Sequence, residues 1–289
     1  MKKAFLQLHI AVLLAGLTGI LGKLIHLNEG LLVWYRLLIT SITLWIIFVL
    51  QKRRAYLPLK EILKVAGVGA IAALHWVGFY GSIKYSNVSV GLLCFSAVGF
   101  FTALLEPLMF RVKMDFRELM LGMMVIAGIY FIFHFDPHYK TGIIIGLFSA
   151  LLGSIFPILN KRLLERVEVN KMIAYQLTGG FLFLTLLLPF YLKMFPGGNF
   201  LPTSQDWIWL LVLSWLCTVL AFNLSMNALR MVSAFTVNLA YNLEPVYGIF
   251  LAFVVLGENR YFNRGFYIGF GMILLAIFLH MIILWKKKT

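Results

Sequence analysis

The chain has 289 residues, of which 62% are hydrophobic and 12% are charged, and its mean hydropathy is +0.92. Soluble domains are about one quarter charged, so this composition excludes a soluble protein and indicates an integral membrane protein. The net charge of +14 does not indicate nucleic-acid binding, because the basic residues lie mostly at the ends of apolar blocks rather than in one patch with aromatic residues.

In chain order, the apolar blocks have the length of helices that cross a bilayer, about 18 to 24 residues. The first block begins like a signal peptide, but it is too long and lacks a small-x-small cleavage site, so it is interpreted as a retained span. The chain is predicted to be all-α, with ten transmembrane helices. The predicted spans are 4–26, 31–50, 61–83, 88–110, 118–135, 141–160, 171–192, 207–229, 234–256 and 265–285.

The distribution of charge predicts the orientation of these spans. With both termini in the cytoplasm, most of the 25 lysines and arginines fall on the cytoplasmic side, as the positive-inside rule requires. The expected location is therefore the inner (plasma) membrane. The ten spans divide into two halves, 1–138 and 139–289, of five spans each. Because five is odd, the second half crosses the membrane in the opposite orientation to the first. A shift of 146 residues places "SIKYSNVSV" on "ALRMVSAFT", which supports two inverted five-helix repeats.

Two cations lie in or near the first two spans. Lys23, near the outer end of the first span, either extends to the lipid headgroups or serves in coupling or gating by holding an anionic group. Arg36 lies early in the second span, where burial of a guanidinium requires partners, and Glu29 or Glu244 could serve. Arg36 is predicted to bind substrate; the alternative is a structural ion pair.

Spans three and eight are mates in the 146-residue register and present two residue pairs at helical spacing. Trp76 and Tyr80 share one face of span three, and Asn223 and Asn227 share one face of span eight. All four are predicted to bind substrate. Packing in the core is the alternative for the aromatic pair, whereas the amides must find polar partners inside the bundle.

Span nine contains the costliest residues for a membrane interior. Glu244 and Pro245 lie near its middle, and Pro245 is expected to kink the helix because it cannot donate to the carbonyl of Tyr241. Asn238, Tyr241 and Asn242 precede them and are predicted to bind substrate, while Glu244 and Pro245 are predicted to serve in coupling or gating. A protonated Glu244 bonded to a neighbouring helix, without ligand contact, is the alternative.

A second Glu-Pro pair, Glu106 and Pro107, is not equivalent to Glu244 and Pro245 in the repeat. Glu106 lies near the cytoplasmic end of span four, and the 146-residue register instead pairs Glu244 with Val98 and Pro245 with Gly99. The predicted site is therefore asymmetric, with a carboxylate in one half and a glycine break at the same depth in the other.

The segment "NLEPVYGIFLAFVVLGENRYF" resembles the tail motif of the EamA family within the drug/metabolite transporter superfamily. The matching residues are Leu243 to Val246 and Leu256 to Glu258; the first-half counterpart "FRVKMDF" lacks Leu-Gly-Glu. The resemblance implies a secondary transporter in which two inverted halves give alternating access.

The expected function is export of small organic metabolites, such as amino acids or related amphipathic compounds, with the proton gradient as the energy source. No cofactor or metal is expected, since Cys94 and Cys217 lie in apolar blocks without metal-ligand spacing. The expected partners are the substrate and membrane lipid, without nucleic acid, and a homodimer is left open. The alternatives are a membrane enzyme acting on a lipid-linked substrate, a channel, and a lipid-flipping relative of the same fold.

Overall fold

A computed structural model describes residues 2–52, 56–111, 113–135, 137–195, 200–229, 240–241 and 243–286, and the regular structure in these ranges is entirely helical. Short 3₁₀ turns at Pro137–Tyr139 and Glu258–Tyr261 and π turns at Trp215–Leu220 and Ala252–Leu256 accompany the α-helices. The α-helices are α1 (Lys2–Leu24), α2 (Glu29–Leu50), α3 (Leu59–Lys84), α4 (Val88–Phe95), α5 (Val98–Phe110), α6 (Phe116–Phe135), α7 (Lys140–Leu163), α8 (Val169–Met194), α9 (Ser204–Ser214), α10 (Ala221–Leu229), α11 (Glu244–Leu251) and α12 (Arg264–Lys286).

Eight helical segments of the described chain are long and apolar enough to cross a membrane. They correspond to eight of the ten predicted spans, so the chain is a multi-pass membrane protein. The predicted span 118–135 corresponds to α6, which is not among the eight. The predicted span 234–256 lies partly outside the described residues, and its last part is α11 with the π turn that follows it.

Polar contacts at the helix ends show that the chain passes back and forth through the bundle. The end of α1 meets the start of α9, where Asp206 accepts from the backbone N–H of His26 at 2.8 Å. Lys84, which ends α3, donates to backbone carbonyls just after α1. The face that carries the start of α1 and the end of α12 is called the terminal face below, and the other is called the distal face.

The packing of the helices follows the repeat. The shift of 146 residues relates α1 to α7, α2 to α8, α3 to α9 and α10, and α6 to α12. Accordingly, α1 packs on α10 as α7 packs on α3, whereas α2 pairs with α8 and α6 pairs with α12. The two halves therefore fit a two-repeat architecture with a pseudo-twofold relation.

Both halves contain a helix that starts in the interior of the bundle, at equivalent positions. In the first half α5 begins at Val98, after a break at Ser96 and Ala97, and in the second half α11 begins at Glu244, 146 residues later. The predicted kink falls at the start of α11, and it stays a prediction because residues 230–239 and Asn242 lie outside the described residues. Pro245 lies in the first turn of α11, where a backbone N–H has no partner within the helix and its loss costs little.

Glycines allow the two longest helices to cross closely. A Cβ atom at Gly69 of α3 would lie only 1.8 Å from the carbonyl oxygen of Gln176 in α8, whereas a Cβ at Gly67 would have no neighbour within 4 Å.

We expect Gly69→Ala to lower the free energy of unfolding by about 1–3 kcal/mol, because α3 and α8 must move apart to accommodate the methyl group. Gly67→Ala is the matched control and should not lower it. Thermal unfolding in detergent, followed by size-exclusion chromatography, measures both, and equal stability of the two variants would contradict the close crossing.

Candidate functional site

Arg36 is the centre of a buried polar cluster that joins the two halves. Its side chain on α2 is 3% exposed. The Nε–H donates to the Thr218 hydroxyl at 2.9 Å, and Nη1 donates to the Tyr80 hydroxyl at 2.8 Å. Thr218 belongs to the second half and Tyr80 to the first, so the guanidinium connects them at the interior of the bundle.

Trp76 and Tyr80 both reach this guanidinium, as their shared face on α3 allows. The guanidinium carbon lies 3.9 Å from the centre of the Trp76 ring, a cation–π geometry. The carboxylate partners considered for Arg36 do not form ion pairs with it: Glu29 accepts from the Tyr191 hydroxyl at 2.5 Å, and no described carboxylate lies within 4.0 Å of the Arg36 nitrogens. The positive charge is held by hydroxyls and an aromatic face instead.

Thr218 is a central residue that the sequence-based prediction missed. It lies in the π turn Trp215–Leu220, where its hydroxyl donates to the carbonyl of Leu213 at 2.9 Å while it accepts from Arg36. The only available signal was a single threonine within the apolar run "WLCTVL". A π turn adds a residue to the helical repeat and is frequent at functional sites.

A cavity of about 380 Å³ leads from the terminal face to this cluster. Its mouth is lined by Gln51 at the end of α2 and by Glu168 and Asn170 at the start of α8. Its inner end is lined by Thr40 and Thr218. Since Thr218 holds the Arg36 guanidinium, the cavity ends one hydrogen bond away from the buried charge.

The two asparagines of α10 line the same cavity. Asn223 and Asn227 are both exposed to it, and Asn223 donates from Nδ2 to the carbonyl of Val219 at 2.9 Å. Their spacing of four residues places both on the cavity side of α10. The amides and the Arg36 cluster therefore belong to one continuous path.

Glu244 is the first residue of α11 and is half-buried. It lies 12 residues before Leu256, so at 1.5 Å per residue its depth below the distal face is about 18 Å. The backbone of α11 packs closely on α1, since a Cβ at Gly16 would come within 3.1 Å of the Glu244 carbonyl. The Glu244 carboxyl does not form an ion pair with Arg36.

The remaining predicted residues fall in different places. Tyr241 is half-buried and packs against Leu8, Val12 and Ala228, which ties it to α1 and α10. Pro245 is buried. The predicted substrate-binding residues Asn238 and Asn242 lie outside the described residues.

Lys23 is exposed in the last turn of α1 and is away from the cavity lining. Two other charged residues, not assigned a role from sequence, organise the distal face beside it. Lys84 donates to the carbonyls of Ile25 and Leu27, and Asp206, 1% exposed, caps α9 through Thr203 while accepting from His26. These hydrogen bonds join the segment after α1 to α3 and α9 at the distal face.

Thr218→Val should separate the role of the Arg36 contact from that of the cavity wall. We expect this nearly isosteric change to lower the free energy of unfolding by about 1–3 kcal/mol, because it leaves the buried Nε–H without an acceptor. Thr40→Val is the matched control, since the Thr40 hydroxyl also lines the cavity but donates to the backbone carbonyl of Arg36. Denaturation in detergent measures both variants, and equal stability losses would contradict the importance of the contact.

Comparison with known proteins also divides the chain into two repeats. The EamA-like transporter family matches residues 2–134 and 140–282. "Uncharacterized transporter YetK" of Bacillus subtilis (strain 168) is 25% identical over 304 aligned positions, which cover 99% of this chain and 88% of that protein. A solved crystal structure of 15% identity covers all of both chains with a TM-score of 0.66, a likeness of fold alone.

Proposed function

This chain belongs to the EamA-like transporter family, and on that premise we propose that it is a secondary transporter that exports small organic metabolites by alternating access. One observation carries the proposal. The cavity of about 380 Å³ starts at the terminal face and ends at Thr218, which is hydrogen-bonded to the buried Arg36. A path that ends at a fixed charge inside the bundle suits a carrier in a conformation open to one side only.

The cavity supports an amphipathic substrate, such as an amino acid or a related compound. Its volume is in the range of small-molecule sites, and its wall combines amides and hydroxyls with apolar side chains such as Leu44 and Phe222. The described lining contains no basic side chain, and Arg36 lies behind Thr218, to which it donates a hydrogen bond. A substrate carboxylate that displaced the Thr218 contact would find that guanidinium.

The proton gradient is proposed as the energy source, with Glu244 as the group that takes up and releases the proton. A carboxylate is costly to bury in a membrane interior, so its charge state can be linked to a conformational change of α11. The positive-inside distribution supports cytoplasmic termini in the inner membrane, so the open terminal face would receive substrate from the cytoplasm, which suits export.

The test is flux through the purified protein in liposomes. Liposomes are loaded with a mixture of radiolabelled amino acids, and efflux is followed with and without a pH gradient. The proposal expects saturable efflux that the gradient accelerates. Hydrolysis of a lipid-linked substrate would indicate an enzyme instead, and movement of fluorescent phospholipids between leaflets without amino-acid flux would indicate a lipid-flipping protein.

A further inference from the structure

Glu258 ties the second half of the protein to the first at the distal face. It lies in the 3₁₀ turn after α11 and is 5% exposed. Its Oε1 accepts from the backbone N–H of Val88 at 2.9 Å, and its Oε2 accepts from the backbone N–H of Ser89 at 2.8 Å and from the Ser89 hydroxyl at 2.7 Å. These donors belong to the first turn of α4.

The arrangement suits an ionised carboxylate. An ionised carboxylate has only acceptors to offer, and here both oxygens are occupied by three donors. The N-terminal end of a helix also favours negative charge. Asn87 caps the same helix from within the first half by accepting from the N–H of Val90 at 2.8 Å, so Glu258 is an addition supplied by the other half.

Glu258 connects the distal ends of the two interrupted spans. It follows α11 and its π turn, whereas α4 precedes the break that leads to α5. The same two helices pack along their length, since a Cβ at Gly248 of α11 would lie 2.5 Å from Leu92 of α4. Separation of the halves at the distal face would therefore have to break the three hydrogen bonds of Glu258.

The sequence of the first half has no carboxylate at the repeat position of Glu258. The 146-residue register places Val112 where Glu258 stands in the second half. Other polar contacts join the halves at the distal face, from His26 to Asp206, from Tyr191 to Glu29 and from Ser82 to the carbonyl of Gly142, and each has fewer hydrogen bonds than Glu258. Glu258 is thus the most heavily bonded described contact of this kind, and its repeat position in the first half cannot supply one.

We propose that Glu258 is a one-sided latch that favours the conformation closed at the distal face, with the cavity open at the terminal face. The inference rests on the alternating access proposed above. Lys161 and Glu106 also join the halves, at the terminal face, but that ion pair is exposed and contributes little. The buried Glu258 contact therefore shifts the balance towards the conformation closed at the distal face. The latch sets which side the empty carrier faces at rest.

The test measures the conformation without substrate. Val219 lines the inner end of the cavity, so Val219→Cys in a background of Cys94→Ser and Cys217→Ser gives a single central thiol. Membrane vesicles of both orientations are treated with a membrane-impermeant maleimide. Glu258→Gln replaces one acceptor oxygen by an amide N–H₂, which cannot accept from the backbone N–H groups of α4. Because this weakens the contact, we expect labelling from the distal side to rise about tenfold while labelling from the terminal side falls.

Ser89→Ala is the second variant, because it removes only the hydroxyl bond and retains the helix. It should shift labelling in the same direction by a smaller factor, and it decides the matter if Glu258→Gln does not fold. Glu61→Gln, which removes a half-buried carboxylate paired with Lys64 at the start of α3, is the control and should leave labelling unchanged. Unchanged labelling from both sides in Ser89→Ala and in folded Glu258→Gln would overturn the latch, whatever the flux assay shows.

Discussion

Glu244→Gln is expected to reduce transport driven by a pH gradient to the level of protein-free liposomes while the protein stays folded. The amide has nearly the same shape as the carboxyl but cannot take up or release a proton at neutral pH. The helix start at Glu244 and Pro245 does not depend on that charge, so α11 should still form. Initial rates with and without the gradient, together with size-exclusion chromatography of the purified variant, measure the effect.

The second Glu-Pro doublet provides the matched control. Glu106 lies close to the end of α5 and forms an exposed ion pair with Lys161 at 2.9 Å, so Glu106→Gln should keep transport within about twofold of the parent. Exchange of labelled for unlabelled substrate without a gradient should persist in Glu244→Gln if this residue only couples protons. Full stimulation by the gradient in Glu244→Gln would remove Glu244 from the coupling step.

The helices were predictable because the membrane limits what a chain can form. A block of apolar residues must become a helix of bilayer length, and charged residues must lie near its ends. The prediction for 31–50 thus differs from the observed Glu29–Leu50 by two residues at one end only. The repeat was visible in hydropathy for the same reason, since both halves face the same lipid.

The interruption of the helices was only partly predictable. A proline removes one backbone donor, which is compatible with a kink inside a helix or with the start of a new one, and the sequence does not distinguish the two. In the first half the break at Ser96 and Ala97 has no proline at all, and α5 starts one residue before Gly99. Its position could be inferred only from the repeat.

The positions of side chains were predictable where helical spacing determines which residues share a face. Trp76 and Tyr80 reach one guanidinium, and Asn223 and Asn227 line one cavity, because each pair is separated by one helical turn. Thr218 was not predicted because it lies in a π turn, which shifts the register of the helix. The periodicity of the sequence therefore does not show which way its side chain points. Glu258 was recognised as part of a motif, but its partner on α4 is distant in sequence.

Under the proposed function, Arg36 and Glu244 would have different tasks. Arg36 is fixed by Thr218, Tyr80 and Trp76, so it can act as a preorganised charge without moving. Glu244 begins a helix whose other end leads to the Glu258 latch, so a change at its carboxyl can reach the distal face through a few turns of helix. Substrate recognition and gating would then be carried by opposite sides of the same interior space.

Arg36→Gln is expected to lower the transport of carboxylate-bearing amino acids about ten- to hundredfold, and to lower that of their uncharged amide derivatives much less. The change removes the buried charge at the end of the cavity, together with the donors to Thr218 and Tyr80. Arg36→Lys should fail to restore transport, because a single ammonium group cannot reproduce the planar fork that meets two hydroxyls while lying on Trp76. Uptake rates for an acid and its amide, measured side by side in proteoliposomes, give the ratio that matters.

Arg162 offers a matched control for this prediction. Like that of Arg36, its guanidinium lies over an aromatic ring, Phe110 at 4.5 Å, and it donates a hydrogen bond, here to the carbonyl of Met109 at 2.9 Å. Unlike Arg36, it is exposed at the end of α7. Arg162→Gln should leave both rates nearly unchanged, since a solvated arginine contributes little. Equal losses for acid and amide in Arg36→Gln would mean that Arg36 only holds the two halves together, and the substrate carboxylate would then have to be recognised elsewhere along the cavity.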